Sequence, residues 1–163
     1  MNKKLFTIAA ALALLALGLL GPASASASAT CTNKLLTGYY GFTIQGTKLG
    51  GLGPVGQQVG VAMAQFFGDG TFTQIDTVTI AGNVVSDFTH TPANGTYAVN
   101  SDCTGTFTIN FTDGRPTVIA NFVVVGGGAE IDTVVTSAGG AEGILATSSI
   151  GKRRSPPAYS FVR

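Results

Sequence analysis

Residues Thr106–Thr112, with the sequence TFTINFT, carry the pattern that decides the fold. Phe107, Ile109 and Phe111 alternate with polar residues, and successive side chains of an extended chain point to opposite faces. The segment is therefore predicted to be a β-strand with one buried face and one wet face. Short apolar and β-branched runs, separated by glycine-containing turns, continue on both sides of it, which is typical of an antiparallel meander.

The same pattern predicts eight or nine strands between Tyr39 and Ile150, and no helix. Turn signals such as Gly68-Asp69-Gly70, Pro92-Ala93-Asn94-Gly95 and the corner at Ser101–Gly105 separate them. A glycine-rich stretch, Gly46–Gly60, is predicted to be a mobile loop. The predicted strands are residues 39–45, 57–67, 71–80, 84–91, 96–100, 106–112, 116–125, 129–137 and 143–150.

Consecutive antiparallel strands leave two sheet edges, and closure into a barrel removes both edges. We therefore expect an all-β fold, a single antiparallel up-and-down barrel of about eight strands, within residues 30–151. A two-sheet β-sandwich is the alternative, because strand spacing alone does not distinguish closure from stacking. Residues 152–163 contain two prolines, which cannot donate to a ladder, and are predicted to form a solvated C-terminal tail.

The amino terminus has the three parts of a secretory signal peptide. Lys3 and Lys4 precede the apolar run Leu5–Leu20, and residues 23–29 alternate alanine with serine, which offers several Ala-x-Ala cleavage sites. The apolar run has 16 residues, fewer than the roughly 20 that span a bilayer. We expect residues 1–29 to be cleaved, no stable membrane anchor to remain, and the mature protein to be secreted or to reside in the periplasm or cell envelope.

The net charge limits the expected kinds of partner, and the cysteine content bears on a possible disulfide. The chain has nine basic and eight acidic residues, so loss of Lys3 and Lys4 leaves seven basic residues and a net charge of −1. Such a chain has no broad positive field, and nucleic acid is not an expected partner. Cys31 and Cys103 are the two cysteines. An oxidising compartment favours a disulfide between them, and two free thiols are the alternative.

Aromatic residues in the predicted strands form the candidate binding site. An eight-stranded barrel either holds one small ligand or is filled by its own side chains, and the sequence does not decide between these outcomes. A ligand would be small and apolar, with the glycine-rich loop gating one mouth. The candidate ligand-binding residues are Tyr40, Phe42, Phe72, Tyr97, Phe107, Phe111 and Phe122.

Motifs for cofactor, metal and catalytic chemistry are weak. Gly51–Gly56 fits G-x-G-x-x-G, but no helix is predicted to follow it, so no dinucleotide cofactor is expected. His90 is the single histidine, and Asp87, three residues earlier, falls on the opposite face of a strand. We therefore predict no catalytic residue. With one histidine and two cysteines better used as a disulfide, we also predict no bound metal.

Besides Asp87, three acids lie in predicted strands, where a carboxylate is either on the wet face or buried at a cost. They are Asp76, Glu130 and Asp132. The last two share one strand face, which is the spacing of a functional carboxylate pair. Because Ile131 and Val135 make the opposite face the apolar one, a solvated surface is the favoured interpretation.

Four segments resemble small exported microbial proteins of unknown function. They are Gly38–Phe42 (GYYGF), Phe67–Phe72 (FGDGTF), Gly95–Thr106 (GTYAVNSDCTGT) and Phe122–Gly128 (FVVVGGG). That group is associated with calycin-like barrels, the architecture shared by lipocalins and allene oxide cyclase. The resemblance spans roughly Gly38–Thr136 and concerns turn and strand residues, so it bears on fold more than on activity.

Three functions follow as expectations. The aromatic interior favours an exported barrel that binds a small apolar ligand without chemistry. The fold analogy adds a cyclase or isomerase resembling allene oxide cyclase, although no stretch matches the site of that enzyme and no residue is carried over. A secreted or envelope interaction module is the third alternative. The sequence does not indicate an oligomeric state.

Overall fold

The computed structural model describes residues 30–88, 93–112, 115–138 and 143–155. The predicted signal peptide, His90 and most of the predicted tail lie outside these residues. The described residues include no helix that is long and apolar enough to cross a lipid bilayer. A short 3-10 helix at Asn33–Leu35 precedes the strands β1 (Thr37–Lys48), β2 (Gly56–Phe67), β3 (Thr71–Ile80), β4 (Asn83–Ser86), β5 (Ala93–Val99), β6 (Thr104–Phe111), β7 (Val118–Val125), β8 (Glu130–Ala138) and β9 (Leu145–Arg154).

Eight of the strands close into an antiparallel barrel. The hydrogen-bonded order is β2-β1-β9-β8-β7-β6-β5-β3, and pairing of β2 with β3 closes the circle. The short strand β4 pairs with the last residues of β3, on the side where β5 pairs with the first residues of β3. The predicted single barrel is confirmed, and the sandwich alternative is wrong. The architecture is compatible with a calycin-like barrel.

Side chains alternate between the barrel interior and solvent, as the pattern of Thr106–Thr112 predicts. On β6, for example, Phe107 is buried whereas Thr106 is exposed. The interior residues form one apolar cluster, which removes a large area of hydrocarbon from water and supplies the main favourable free energy of folding. The cluster comprises Leu36, Tyr40, Phe42, Ala62, Ala64, Phe66, Phe72, Tyr97, Phe107, Ala120, Phe122, Val124 and Ile131.

Two glycines that the sequence analysis assigns to turns lie inside strands. Gly95 is in β5, directly opposite Phe72, and Gly105 is in β6, directly opposite Phe122. A Cβ atom at Gly95 would lie 2.1 Å from the Phe72 ring, and one at Gly105 would lie 2.2 Å from the Phe122 ring. The glycines are required because each aromatic ring crosses the barrel interior over the glycine backbone.

The glycine-rich loop is shorter than the predicted Gly46–Gly60. Residues 49–55 connect β1 to β2, while Gly46 and Gly60 belong to the strands. A Cβ at Gly46 would lie 2.3 Å from the carbonyl oxygen of Ala146, and a Cβ at Gly60 would lie 2.6 Å from that of Thr77. Both glycines therefore permit close approach of a neighbouring strand. The sequence alone does not distinguish this role of glycine from its role in loops.

One end of the barrel, here named the closed end, is covered by the N-terminal segment. Leu36 is fully buried there. The Tyr97 hydroxyl donates to the Leu36 carbonyl oxygen at 2.9 Å, and the Tyr40 hydroxyl donates to the Gly128 carbonyl oxygen at 2.6 Å. Each of the two buried tyrosine hydroxyls thus has a backbone carbonyl as acceptor, as buried polar groups generally do.

The last strand reaches the same end and is longer than predicted. β9 continues to Arg154, so the predicted boundary between the barrel and the tail, after residue 151, lies within a strand. Arg153 explains the extension, because its Nε donates to the Tyr40 hydroxyl at 2.9 Å and its Nη2 donates to the carbonyl oxygen of Leu35. The basic residues of this segment are part of the sheet rather than of a solvated tail.

The predicted disulfide between Cys31 and Cys103 is confirmed. The two Cα atoms lie 5.1 Å apart and the residues are separated by 72 positions in the sequence. Cys103 lies in the turn between β5 and β6, with a φ angle of +69°. The disulfide therefore fixes the N-terminal segment to the closed end of the barrel.

The buried tyrosines predict a loss of stability at alkaline pH. Burial raises the pKa of Tyr40 above 10.0, although Arg153 opposes the shift, and burial likewise raises the pKa of Tyr97. A tyrosine with a higher pKa in the folded state contributes stability below its unfolded pKa, and this contribution is lost as pH rises past about 10. We expect the free energy of unfolding, measured with urea, to fall more steeply above that pH in the wild type than in Tyr40→Phe. Equal slopes would contradict this assignment.

Candidate functional site

The end of the barrel opposite the closed end, here named the open end, encloses a cavity of about 100 Å³. Its walls are mostly apolar and include Phe42 of β1, Ala62 of β2, Val78 of β3, Ile109 of β6 and Val135 of β8. The barrel is therefore filled in one half and hollow in the other. A concave apolar cavity with a few polar groups is the usual form of a small-molecule site.

Three of the seven predicted ligand-binding residues line this cavity. They are Phe42, Phe107 and Phe111. The first two are buried in the core, whereas Phe111 is only partly buried. The guanidinium carbon of Arg115 lies 3.8 Å from the centroid of the Phe111 ring, within the range of a cation–π contact.

The other four predicted residues fill the half of the barrel toward the closed end. Three of them surround Phe66, whose ring centroid lies 5.3 Å from that of Tyr40, 5.0 Å from that of Phe72 and 5.1 Å from that of Tyr97. The fourth, Phe122, stacks on Phe107. Such offset and edge-to-face contacts are the favoured arrangements of aromatic rings. These side chains pack the core and do not line the cavity. The four residues are Tyr40, Phe72, Tyr97 and Phe122.

A buried ion pair faces the cavity. Asp76 of β3 is 3% exposed, and its carboxylate lies 3.8 Å from the guanidinium of Arg115, which precedes β7. The carboxylate also accepts a hydrogen bond from Nε2 of Gln74 at 3.2 Å. Because a buried carboxylate is costly without such partners, these contacts explain how an acid is held inside the barrel.

Two further hydrogen-bonded pairs add polar groups to the cavity wall. The Thr147 hydroxyl donates to Oε1 of Gln58 at 3.2 Å, and the hydroxyl oxygens of Thr133 and Ser149 lie 2.7 Å apart. All four residues line the cavity. The wall therefore combines hydrocarbon with hydroxyl, amide and paired charged groups, which suits a ligand with an apolar body and a polar end.

The sequence does not predict these polar cavity residues. It leaves Asp76 open between the wet face and the interior, and it does not single out Gln58, Gln74 or Arg115. A signal exists for two of them, because Gln74 and Asp76 lie two and four residues after Phe72 and so share its strand face. Arg115 lies in a connection between strands, where no periodicity applies.

The candidate carboxylate pair, Glu130 and Asp132, does not line the cavity. Glu130 is on the outer surface, 3.5 Å from Lys152, and Ile131 is fully buried on the opposite face. Glu130 and Asp132 are both partly exposed, and Oδ1 of Asp132 is buried, so the solvated interpretation of this face stays a prediction. Gly51–Gly56 leads into β2 rather than into a helix, so it lacks the helix N-terminus that a pyrophosphate needs.

The loop at residues 49–55 borders the open end and is tied down at two points. Lys48 is buried, and its Nζ donates to the carbonyl oxygen of Leu52 at 2.5 Å. The backbone N–H of Leu49 donates to the carbonyl oxygen of Ile144 at 2.8 Å. The loop therefore folds back over the end of β1 and contacts the segment that leads into β9. Its predicted gating role stays a prediction.

Comparison of the chain with protein-family models, with curated proteins and with solved structures finds no match. Function must therefore be inferred from the cavity and its chemistry. The barrel fold alone does not indicate a ligand. The paired charges and the hydroxyl groups on the cavity wall limit the kind of ligand that could bind.

Proposed function

We propose that this protein is a non-enzymatic binder of a small, uncharged amphipathic molecule. The observation that carries the proposal is the half-hollow barrel, in which apolar walls surround a buried polar group. The ligand's apolar part packs against Phe42, Phe107 and Ile109, and its polar end lies near Asp76 and Gln74. Burial of the apolar part supplies the affinity and the polar contacts set the orientation.

The size of the cavity limits the ligand. A volume of about 100 Å³ is smaller than the roughly 150 Å³ of an engineered apolar cavity that holds benzene in another protein. The enclosed part of the ligand is therefore a small ring or a short chain. A longer chain would have to project through the open end, past the loop at residues 49–55.

The charge of the site favours an uncharged ligand. Among the described lining residues, Asp76 and Arg115 are the ionisable ones, and their opposite charges offset each other. A carboxylate or ammonium on the ligand would lose its hydration without a matching charge, which is costly in an apolar site. A hydroxyl or amide would lose less and would still find hydrogen-bond partners.

The disulfide supports a location outside the cytoplasm, since such bonds persist in oxidising compartments. Together with the predicted signal peptide and the resemblance to exported calycin-like proteins, it favours a role in the secreted fraction or the cell envelope. We therefore include export in the proposal.

The proposal is tested by titrating the mature protein with hexan-1-ol and with hexanoate near neutral pH. The two molecules share one chain and differ in the charge of the polar end. Calorimetry should show saturable binding of hexan-1-ol, at least about tenfold tighter than that of hexanoate, because the carboxylate must be desolvated. Absence of saturable binding for hexan-1-ol would contradict the proposed ligand class.

Two alanines on β2 allow a matched test of the hollow half. Ala62 lines the cavity, whereas Ala64 is fully buried beside Tyr40 in the filled half. Ala62→Leu should occupy the cavity, abolish hexan-1-ol binding and leave stability almost unchanged. Ala64→Leu should cost about 1–3 kcal/mol of stability, because a packed core does not accept extra methylenes. Chemical unfolding and calorimetry on both variants check this. Equal destabilisation by the two variants would show that the cavity is not hollow in solution.

Asp76→Asn tests the role of the paired charges. The substitution keeps the shape of the side chain and removes the carboxylate that lies 3.8 Å from the Arg115 guanidinium. We expect hexanoate to bind at least about tenfold more tightly than to the wild type, because its carboxylate then replaces the missing anion. The readout is the ratio of the hexanoate and hexan-1-ol dissociation constants, and an unchanged ratio would show that the ion pair does not select the ligand.

A further inference from the structure

Exposed aliphatic side chains line part of the open end of the barrel. Four of them lie on two connections at this end, and the fifth, Val84, lies in β4 directly after a third connection, between β3 and β4. Each is between 51% and 74% exposed. Isolated exposed aliphatic residues are common on protein surfaces, but several around one opening form a feature that needs an explanation. We name this set the aliphatic rim; it consists of Leu49, Leu52, Val55, Val84 and Ile144.

Backbone contacts place the three connections next to one another. Leu49 N–H donates to the carbonyl oxygen of Ile144, which joins the first connection to the segment before β9. Ala81 N–H donates to the carbonyl oxygen of Gln57 at 2.8 Å, which joins the turn before β4 to the start of β2. The rim is therefore one continuous feature, and it borders the cavity lined by Ile80, Val85 and Leu145.

The described residues of the rim connections, 49–55, 81–84 and 143–144, carry no charged side chain. Four of the five aliphatic side chains stand on loops, and Val84 lies near the start of the short strand β4. A rigid protein partner needs a complementary surface for such projections, whereas the interfacial region of a bilayer adapts to them and takes up their hydrocarbon.

The ends of the described chain leave this feature uncovered. Cys31 is tied to the closed end by its disulfide, and Arg154 pairs with Tyr39 at the same end. The described chain therefore begins and ends on the side of the barrel away from the rim.

We propose that the aliphatic rim docks the open end of the barrel onto a lipid bilayer with uncharged or zwitterionic headgroups. Leu52 and Ile144 insert to the level of the upper acyl chains, so that the mouth of the cavity faces the hydrocarbon. The attachment is peripheral and reversible, because a few aliphatic side chains bury far less area than a membrane-spanning segment. Docking rests on the rim alone; delivery of a membrane-dissolved ligand to the cavity rests in addition on the proposed function.

The first experiment is co-sedimentation of the mature protein with phosphatidylcholine vesicles. The wild type should bind, and high salt should not weaken binding, because the described rim residues carry no charge. Leu52→Thr combined with Ile144→Thr should lower the partition coefficient by about tenfold or more, since each side chain loses most of its apolar burial. Val61→Thr combined with Met63→Thr is the matched control, since it removes two exposed apolar side chains from the outer face of β2 and should bind as the wild type does.

A second experiment uses the absence of tryptophan from the chain. Leu52→Trp introduces one tryptophan at the rim, and Val61→Trp introduces one on the barrel wall. Vesicles of phosphatidylcholine with brominated acyl chains should quench the first emission and not the second. Equal quenching, or none at Leu52→Trp, would overturn the proposed orientation.

Three results would overturn bilayer docking. They are a wild type that does not sediment with vesicles, a rim variant that sediments as the wild type does, and a control variant that loses binding equally. A dimer of the wild type that the rim variant abolishes, without vesicle binding, would assign the rim to a second copy of the chain. Hexan-1-ol titration of the rim variant reports on the cavity separately, so loss of docking and loss of ligand binding are distinguishable.

Discussion

Gly105→Ala should lower the free energy of unfolding by about 3 kcal/mol or more, the upper range of overpacking in a closed core. The added Cβ would lie 2.2 Å from the Phe122 ring and 2.4 Å from the carbonyl oxygen of Ala98. Phe122 cannot move aside, because it is buried and stacks on Phe107 with ring centroids 5.6 Å apart. Urea unfolding of the variant and the wild type measures the loss.

The same substitution at two other glycines supplies controls. Gly50→Ala should be nearly neutral, since a Cβ there has no atom within 4 Å. Gly151→Ala should be intermediate: its Cβ would lie 2.3 Å from the Phe42 ring, but Phe42 borders the cavity and can swing into it. The expected loss of stability is therefore largest for Gly105→Ala, smaller for Gly151→Ala and smallest for Gly50→Ala.

A double variant tests the mechanism of the loss. Phe122→Leu removes the ring that meets the new methyl group, so Gly105→Ala should cost less in that background than in the wild type. Relief should be incomplete, because the Ala98 carbonyl remains. If the loss of stability in the double variant equalled the sum of the losses in the two single variants, the ring would not be the reason that glycine is required at this position.

The glycines also show why part of the fold could not be predicted. Alternation of apolar and polar residues locates nearly all the strands, because the period of two is a local property of the chain. Closure of the sheet does not follow from this period and is expected because a barrel has no exposed edges. Gly95 and Gly105 are assigned to turns from the sequence, since glycine favours turns. Their actual requirement comes from an aromatic ring on a neighbouring strand, and this contact exists only after the register is set.

The candidate site was predictable to a smaller extent. The aromatic residues of the interior follow from strand periodicity, but whether they line a cavity or fill the core depends on which rings meet at the same level of the barrel. Phe72 and Phe107 are both interior residues, yet only Phe107 borders the cavity. The partner of Asp76 is Arg115, from a connection with no periodic pattern and far away in sequence. The two residues meet only when the barrel closes, and no local segment of the sequence indicates this contact.

Replacement of both cysteines by alanine should lower the free energy of unfolding by about 4 kcal/mol, as chain entropy predicts for a loop of this length. The disulfide joins residues separated by 72 positions and holds the N-terminal segment that contributes the fully buried Leu36 to the core. The loss should equal that caused by reductant in the wild type, and reductant should not affect the variant. A much smaller loss would mean that the N-terminal segment packs equally well without the covalent tie.

The identity of the replacement at position 103 should matter as well. Cys103 has a φ angle of +69°, a left-handed conformation that costs a residue with a Cβ roughly 1 kcal/mol and costs glycine almost nothing. Cys31→Ala combined with Cys103→Gly should therefore be more stable than the double alanine variant by about 1 kcal/mol. The turn also receives a 2.8 Å hydrogen bond from Val124 N–H to the Cys103 carbonyl oxygen, so it should keep its shape without the disulfide. If the glycine variant were the less stable of the two, the turn would have relaxed to another conformation, and the disulfide would be what holds Cys103 at positive φ.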